Sequence, residues 1–184
     1  MPSKDHPLYF IAIIPPSSVR EELQGLKELF RDKYSSKASL NSPPHITLHM
    51  PFKFSDKKRE KMLKSLANVA AHQEPFEVKL KNFSAFTPRV IYADIVENEA
   101  LKELQRSIVE VCRVDLKLLN ANYKNQAYHP HITLAFRDLK KPAFAEAWKE
   151  FENKKYNALF LVDSFCLLKH DGSKWLVDTE FSIA

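Results

Sequence analysis

The sequence predicts an α+β fold in a single domain spanning residues 1–184, built from two repeats of one plan. Three observations carry that prediction. Strand-like and helix-like segments alternate, with hairpin signals between some strands, which argues for α+β over a doubly wound parallel sheet. The tetrapeptide HITL occurs twice, from His45 and again from His131. Cutting the chain before Arg89 leaves halves, about 1–88 and 89–184, that repeat the same order of elements, each with an HITL strand between two helices. A chain of 184 residues lies in the single-domain range. It can bury roughly 70% of its unfolded surface without disulfides or metals as staples.

The elements follow in order. Residues 8–14, LYFIAII, read as a buried strand stopped by Pro15-Pro16. Ser17 or Ser18 can cap the next helix, whose Val19, Leu23, Leu26, Leu29 and Phe30 share one face. Pro44 keeps the first HITL out of a helix, so HITLHMPF reads as a strand. Ser55 or Asp56 begins a second helix with Met62, Leu63, Leu66, Val69 and Ala70 as its apolar stripe. Two strands, 75–86 and 89–96, meet at Thr87-Pro88. A third helix after Asn98 carries Leu101, Leu104, Ile108, Val111 and Cys112. The polar stretch 120–130 leads into the second HITL strand, and Lys141-Pro142 opens a fourth helix through Phe144, Ala147, Trp148 and Phe151. Two closing strands, 158–170 and 173–181, turn at Asp171-Gly172 as a hairpin. The order is β-α-β-α-β-β-α-β-α-β-β.

Composition narrows the function classes. Cys112 and Cys166 sit among apolar neighbours and form no CxxC, so two buried free thiols in a reducing compartment are expected. The apolar stretch Tyr9–Ile14 is too short for a signal peptide or a membrane span, and a cytoplasmic monomer away from membranes is the expectation. Residues 1–92 hold 15 Lys/Arg against 9 Asp/Glu, whereas residues 93–184 hold 13 against 14. The excess gathers at Lys53, Lys57, Lys58, Arg59, Lys61 and Lys64, just after the first HITL. Such a run is either an attraction for an anionic partner or a solvated helix face.

His and Thr at i and i+2 of a strand point to one side, and the Ile and Leu of HITL to the other. Each copy therefore offers one imidazole and one hydroxyl from a packed strand. If the halves face one another about a pseudo-two-fold axis, His45 and Thr47 meet His131 and Thr133 across one cleft. Two imidazoles suit a reaction in which a proton leaves on one side and arrives on the other. Two hydroxyls between them can donate to the non-bridging oxygens of a phosphoryl group. No metal and no cofactor is expected in that arrangement. The rival is a metal site from His45, His49, His129 and His131, since on an ideal strand His49 and His129 share the face of the motif histidines; it leaves both threonines without a role.

The paired HxT motifs, in the contexts PPHITL and HPHITLAFR, resemble the 2H phosphoesterase superfamily, and within it the 2′-5′ RNA ligase/cyclic phosphodiesterase group. The opening LYFIAIIPPSSVREEL and the segment RVIYADI echo it too, so the likeness spans essentially the whole chain. The resemblance implies a bilobal α+β fold, two pseudo-two-fold related antiparallel sheets with helices outside and a central cleft. It implies hydrolysis of 2′,3′-cyclic or 2′-5′ phosphodiesters in RNA ends or nucleotides, sometimes run backwards as ligation. His45 with Thr47 and His131 with Thr133 match its two motifs. Around them, Lys53 and Arg137 are candidates to hold a phosphate, and Tyr92, Tyr128 and Phe52 to stack on a base. His6, His72 and His170 have no partner pattern and read as surface residues. A protein that binds RNA ends or nucleotides without turnover is the alternative of a different class.

Overall fold

The computed structural model describes residues 6–118 and 127–184. It is α+β, with eight strands in one curled antiparallel sheet and four helices packed on its convex face. The strands are β1 (Leu8–Ile13), β2 (Ile46–Lys53), β3 (Phe76–Phe86), β4 (Val90–Ile95), β5 (His131–Ala135), β6 (Asn157–Val162), β7 (Ser164–His170) and β8 (Trp175–Ser182). The helices are α1 (Ser17–Tyr34), α2 (Arg59–Ala70), α3 (Glu99–Val114) and α4 (Lys141–Phe151). The polar connection predicted over 120–130 lies mostly outside the described residues.

Strand order is β6-β3-β4-β5-β2-β1-β7-β8, so the sheet has two four-stranded halves that meet between β5 and β2. That seam is a single residue pair, Ile46 opposite Ile132. Both side chains are fully buried in the main core, and truncating either to Ala would cost about 2–5 kcal/mol. The repeats interleave across the seam. β3 belongs to the first repeat yet pairs with β4 and β6 of the second, while β7 returns to pair with β1. Helix α1 packs against β5, and α3 against β2, so each repeat's helix supports the other repeat's motif strand.

Alternation divides the faces. Tyr9, Ile11 and Ile13 join Ile46, Leu48, Ile132 and Leu134 under the helices, while Phe10 and Ala12 face the concave side with Cys166 and Leu168. Both cysteines are free and buried, and burial pushes their thiols up to about 12.

Several predicted details change. The run 158–170 is two strands, because the chain bends at exposed Asp163 and passes from the edge of one half-sheet to the interior of the other. A continuous apolar run conceals such a crossing. Pro16, and neither serine, occupies the cap position of α1, with no side-chain capping bond. The second helix starts as a 3-10 turn at Asp56–Lys58 before α2. Asn98 does cap α3, its Oδ1 accepting from Leu101 N at 2.9 Å. On α1 the buried face includes Lys27, only 1% exposed. No helix among the described residues is long and apolar enough to cross a membrane.

Candidate active site

The seam fixes the geometry of the two motifs. Continuing the antiparallel register one residue either way from Ile46–Ile132 sets His45 opposite Thr133 and Thr47 opposite His131. The four side chains form a square on the concave face, with like residues on the diagonals. The matching neighbours are Ala12 beside Thr47 on β1, and Asp94 and Tyr92 beside His131 and Thr133 on β4.

Both imidazoles are oriented in one way. His45 Nδ1 lies 2.7 Å from the Pro43 carbonyl oxygen, and His131 Nδ1 lies 2.8 Å from that of His129, in each case two residues upstream. A carbonyl can only accept, so Nδ1 carries the hydrogen and Nε2 is the nitrogen left to exchange protons. Aromatic rings hold both. His45 tilts on Phe10 at 4.9 Å between centroids, and His131 packs against Tyr92 at 4.9 Å and the edge of Phe86 at 5.1 Å.

Burial lowers the pKa of both histidines. His45 falls to about 4, first through desolvation and then through the Lys27 ammonium, against a raising contribution from the Pro43 carbonyl. His131 is also lowered by desolvation, while the His129 carbonyl and the Asp94 carboxylate act to raise it. Lys27 Nζ donates to the carbonyls of Ser39 at 2.8 Å and Ser42 at 3.0 Å, and burial lowers its own pKa to about 7. The loop it grips is tied from the other side by Asp138, whose carboxylate accepts from Ser36 Oγ and from the backbone of Lys37 and Ala38 at 2.9–3.0 Å.

Two cavities open from the square. One, of about 360 Å³, lies on the His45 side and includes Phe10, Lys27, Thr47, Thr133, Arg137 and Trp175. The other, of about 300 Å³, lies on the His131 side and shares Thr47.

The remaining candidates divide. Arg137 lines the first cavity, its backbone at φ 58° and its guanidinium 5.0 Å from the Phe136 ring. Tyr128 lines the second and donates its hydroxyl hydrogen to the Thr47 carbonyl at 2.9 Å. Tyr92 is buried behind His131, so its ring supports the histidine and offers no open face. Phe52 is 2% exposed in the core beside Tyr9 and His49, out of reach of a base. Lys53 is exposed at the end of β2 and lines neither cavity. Nor does the cationic run after it, where Arg59 pairs with Asp178 and Lys61 bonds the Asp115 carbonyl.

The four-histidine arrangement does not assemble. A bulge in β2 pairs Thr47 with Ala12 but His49 with Ile11, which turns His49 into the core. Among the described residues no three His, Cys, Asp or Glu side chains group as metal ligands. His170, expected at the surface without partners, lines the first cavity against the edge of Trp175 at 4.9 Å. Phe10, Lys27, Phe86, Asp94 and Trp175 were not evident as site residues. The one signal within reach was Lys27 itself, a cation on the apolar stripe of α1.

Comparisons with known proteins agree with the architecture. A model of the 2′-5′ RNA ligase superfamily matches residues 15–174. The chain is 30% identical over 178 residues, 95% of each chain, to a protein of Geobacillus kaustophilus named "Putative phosphoesterase". A Bacillus pumilus protein of the same name is 27% identical over 164 residues, 88% of this chain and 91% of that one. Among solved structures, TT0787 of Thermus thermophilus superposes with a TM-score of 0.69 at 21% identity, covering 96% of this chain and 97% of its own. E. coli LigT complexed with 3′-AMP gives 0.65 at 19% identity, covering 98% and 99%.

Proposed function

The chain belongs to the 2′-5′ RNA ligase superfamily, within the 2H phosphoesterases, and on that premise we propose that it hydrolyses 2′,3′-cyclic phosphates or 2′-5′ phosphodiester bonds in RNA ends or nucleotides without a metal. The observation that carries this reading is the square of His45, Thr47, His131 and Thr133 about the Ile46–Ile132 pair. One histidine takes a proton from water through Nε2 as the water oxygen bonds to phosphorus. The other gives its Nε2 proton to the departing ribose oxygen as that P–O bond breaks. Thr47 and Thr133 donate hydrogen bonds to the non-bridging oxygens while charge builds there. Run backwards, with a nucleoside hydroxyl in place of water, the same steps join two ends. A nucleotide substrate also accords with LigT having been solved with 3′-AMP bound.

Both imidazoles are lowered in the ligand-free protein, so the acid is mostly unprotonated at neutral pH until an anionic phosphate lies beside it. Because kcat/KM reports the groups of the free enzyme, and both imidazoles titrate below the ordinary histidine value, it should peak on the acid side of neutrality and fall as pH rises further. The test is a panel of 2′,3′-cyclic nucleotides, 2′-5′ oligonucleotides and ADP-ribose cyclic phosphate, each incubated with a chelator. Product formation unaffected by chelator is expected. Loss of all turnover, restored by zinc, would overturn the metal-independent mechanism.

A further inference from the structure

We propose that the cavity on the His131 side is a nucleobase seat with Phe86 as its stacking platform. The inference deepens the phosphoesterase reading and rests on it for the reaction. The cavity, about 300 Å³, falls at the lower end of the range for small-ligand pockets. It adjoins the square directly, since His131 and Thr47 line it.

Its chemistry suits a flat neutral ring. Met50, Pro51, Phe86, Tyr128 and Pro130 supply apolar and aromatic surface, and among the described residues no Lys, Arg, Asp or Glu lines it. The cavity on the other side contains Lys27 and Arg137 and is the one suited to negative charge. Among the described residues a second phosphate finds no counter-charge in the lining on the His131 side, whereas a base stacks on any aromatic ring.

Phe86 is placed for that task. Its side chain is 41% exposed, the one aromatic ring among the large hydrophobic residues left exposed in the described chain. The ring is nonetheless held, backed by buried Tyr92 at 4.6 Å and edged by His129 at 5.4 Å and His131 at 5.1 Å. A supported ring with an open surface beside a reacting group loses little entropy on binding. At the rim, His129 Nε2 lies 3.1 Å from Tyr92 Oη and 3.7 Å from Asp94 Oδ1, which leaves polar groups near a base edge.

The experiment uses the 2′-5′-linked adenosine dinucleotide and two analogues, each lacking one of the two bases. Wild-type protein should lose about 10–100-fold in kcat/KM on one analogue, the worth of one base on one ring. Phe86→Ala should lose that factor on the intact dinucleotide and lose nothing more when that same base is removed, and Phe86→Trp should restore it. Losses from Phe86→Ala that persist undiminished on both analogues would overturn the seat, because the ring would then act only through His131. If wild-type protein turns over none of the three, the 2′-5′ phosphodiesterase part of the hydrolytic reading fails. The seat is then judged by calorimetric dissociation constants for the same ligands and variants, with the same pattern required, and absent binding counts against it.

Discussion

His45 and His131 occupy equivalent positions, make the same bond to a carbonyl two residues upstream, and differ in the charge that faces them. On the His45 side that charge is the Lys27 ammonium, enclosed under α1; on the His131 side it is the half-exposed Asp94 carboxylate on β4. Desolvation is the larger cause at both rings, so the charges modulate a common depression. Their signs are opposite, and so are the cavities, one cationic and one aromatic. A pseudo-symmetric frame thus supplies two identical tools and separates their properties through residues outside the repeat.

Substitutions can break or sharpen this contrast. The largest effect is expected from removing either tool: His45→Ala and His131→Ala should each lower turnover by about 10²–10⁴-fold, with their double variant little worse than the poorer single. Near-normal hydrolysis by either would end the two-histidine mechanism. Thr47→Val and Thr133→Val come next, each expected to lower kcat by on the order of 10²-fold with KM less affected.

Smaller effects should distinguish the two sides. Lys27→Met should raise the His45 pKa from about 4 towards the ordinary histidine value while leaving His131 in place, as read by imidazole NMR titration. The same variant bears on stability. A lysine at about 7 when folded and about 10.5 when unfolded makes the unfolded chain bind more protons between those values, so wild-type stability should rise with pH across that window. In Lys27→Met the rise should vanish; a slope that persists would mean Lys27 is not its source. The smallest shift belongs to Asp94→Asn, which should lower the His131 pKa further and leave His45 unmoved. Movement of both rings together would show that one field acts on both.

The four motif residues and the α+β order were legible because they depend on local pattern: a tetrapeptide, a period of two, a period near four. The bulge that turns His49 inward was not, since the position of an extra residue is set by how β1 pairs with β2. The break at Asp163 was hidden for a related reason, that a strand's neighbours are not written in its own alternation. Phe52 and Tyr92 were misleading as base partners because an aromatic residue on a strand is equally at home in the core. Lys27 was visible as a charge on an apolar stripe, but its acceptors, the carbonyls of Ser39 and Ser42, exist only once the loop is folded.

The pairing of β1 with β7 has a bearing on how the chain acquires its activity. Tyr9 to Ala12 lie opposite Lys169 to Cys166, nearly the full length of the sequence away. Until that late strand arrives, β1 keeps an open edge and the His45 cavity lacks its wall of His170 and Trp175. Closure over such a separation is slow, because the entropy of a long loop is lost before the contact rewards it. A nascent chain that has already made both HITL tetrapeptides is therefore still without a finished candidate site, and the strands β7 and β8, made later, are what complete it.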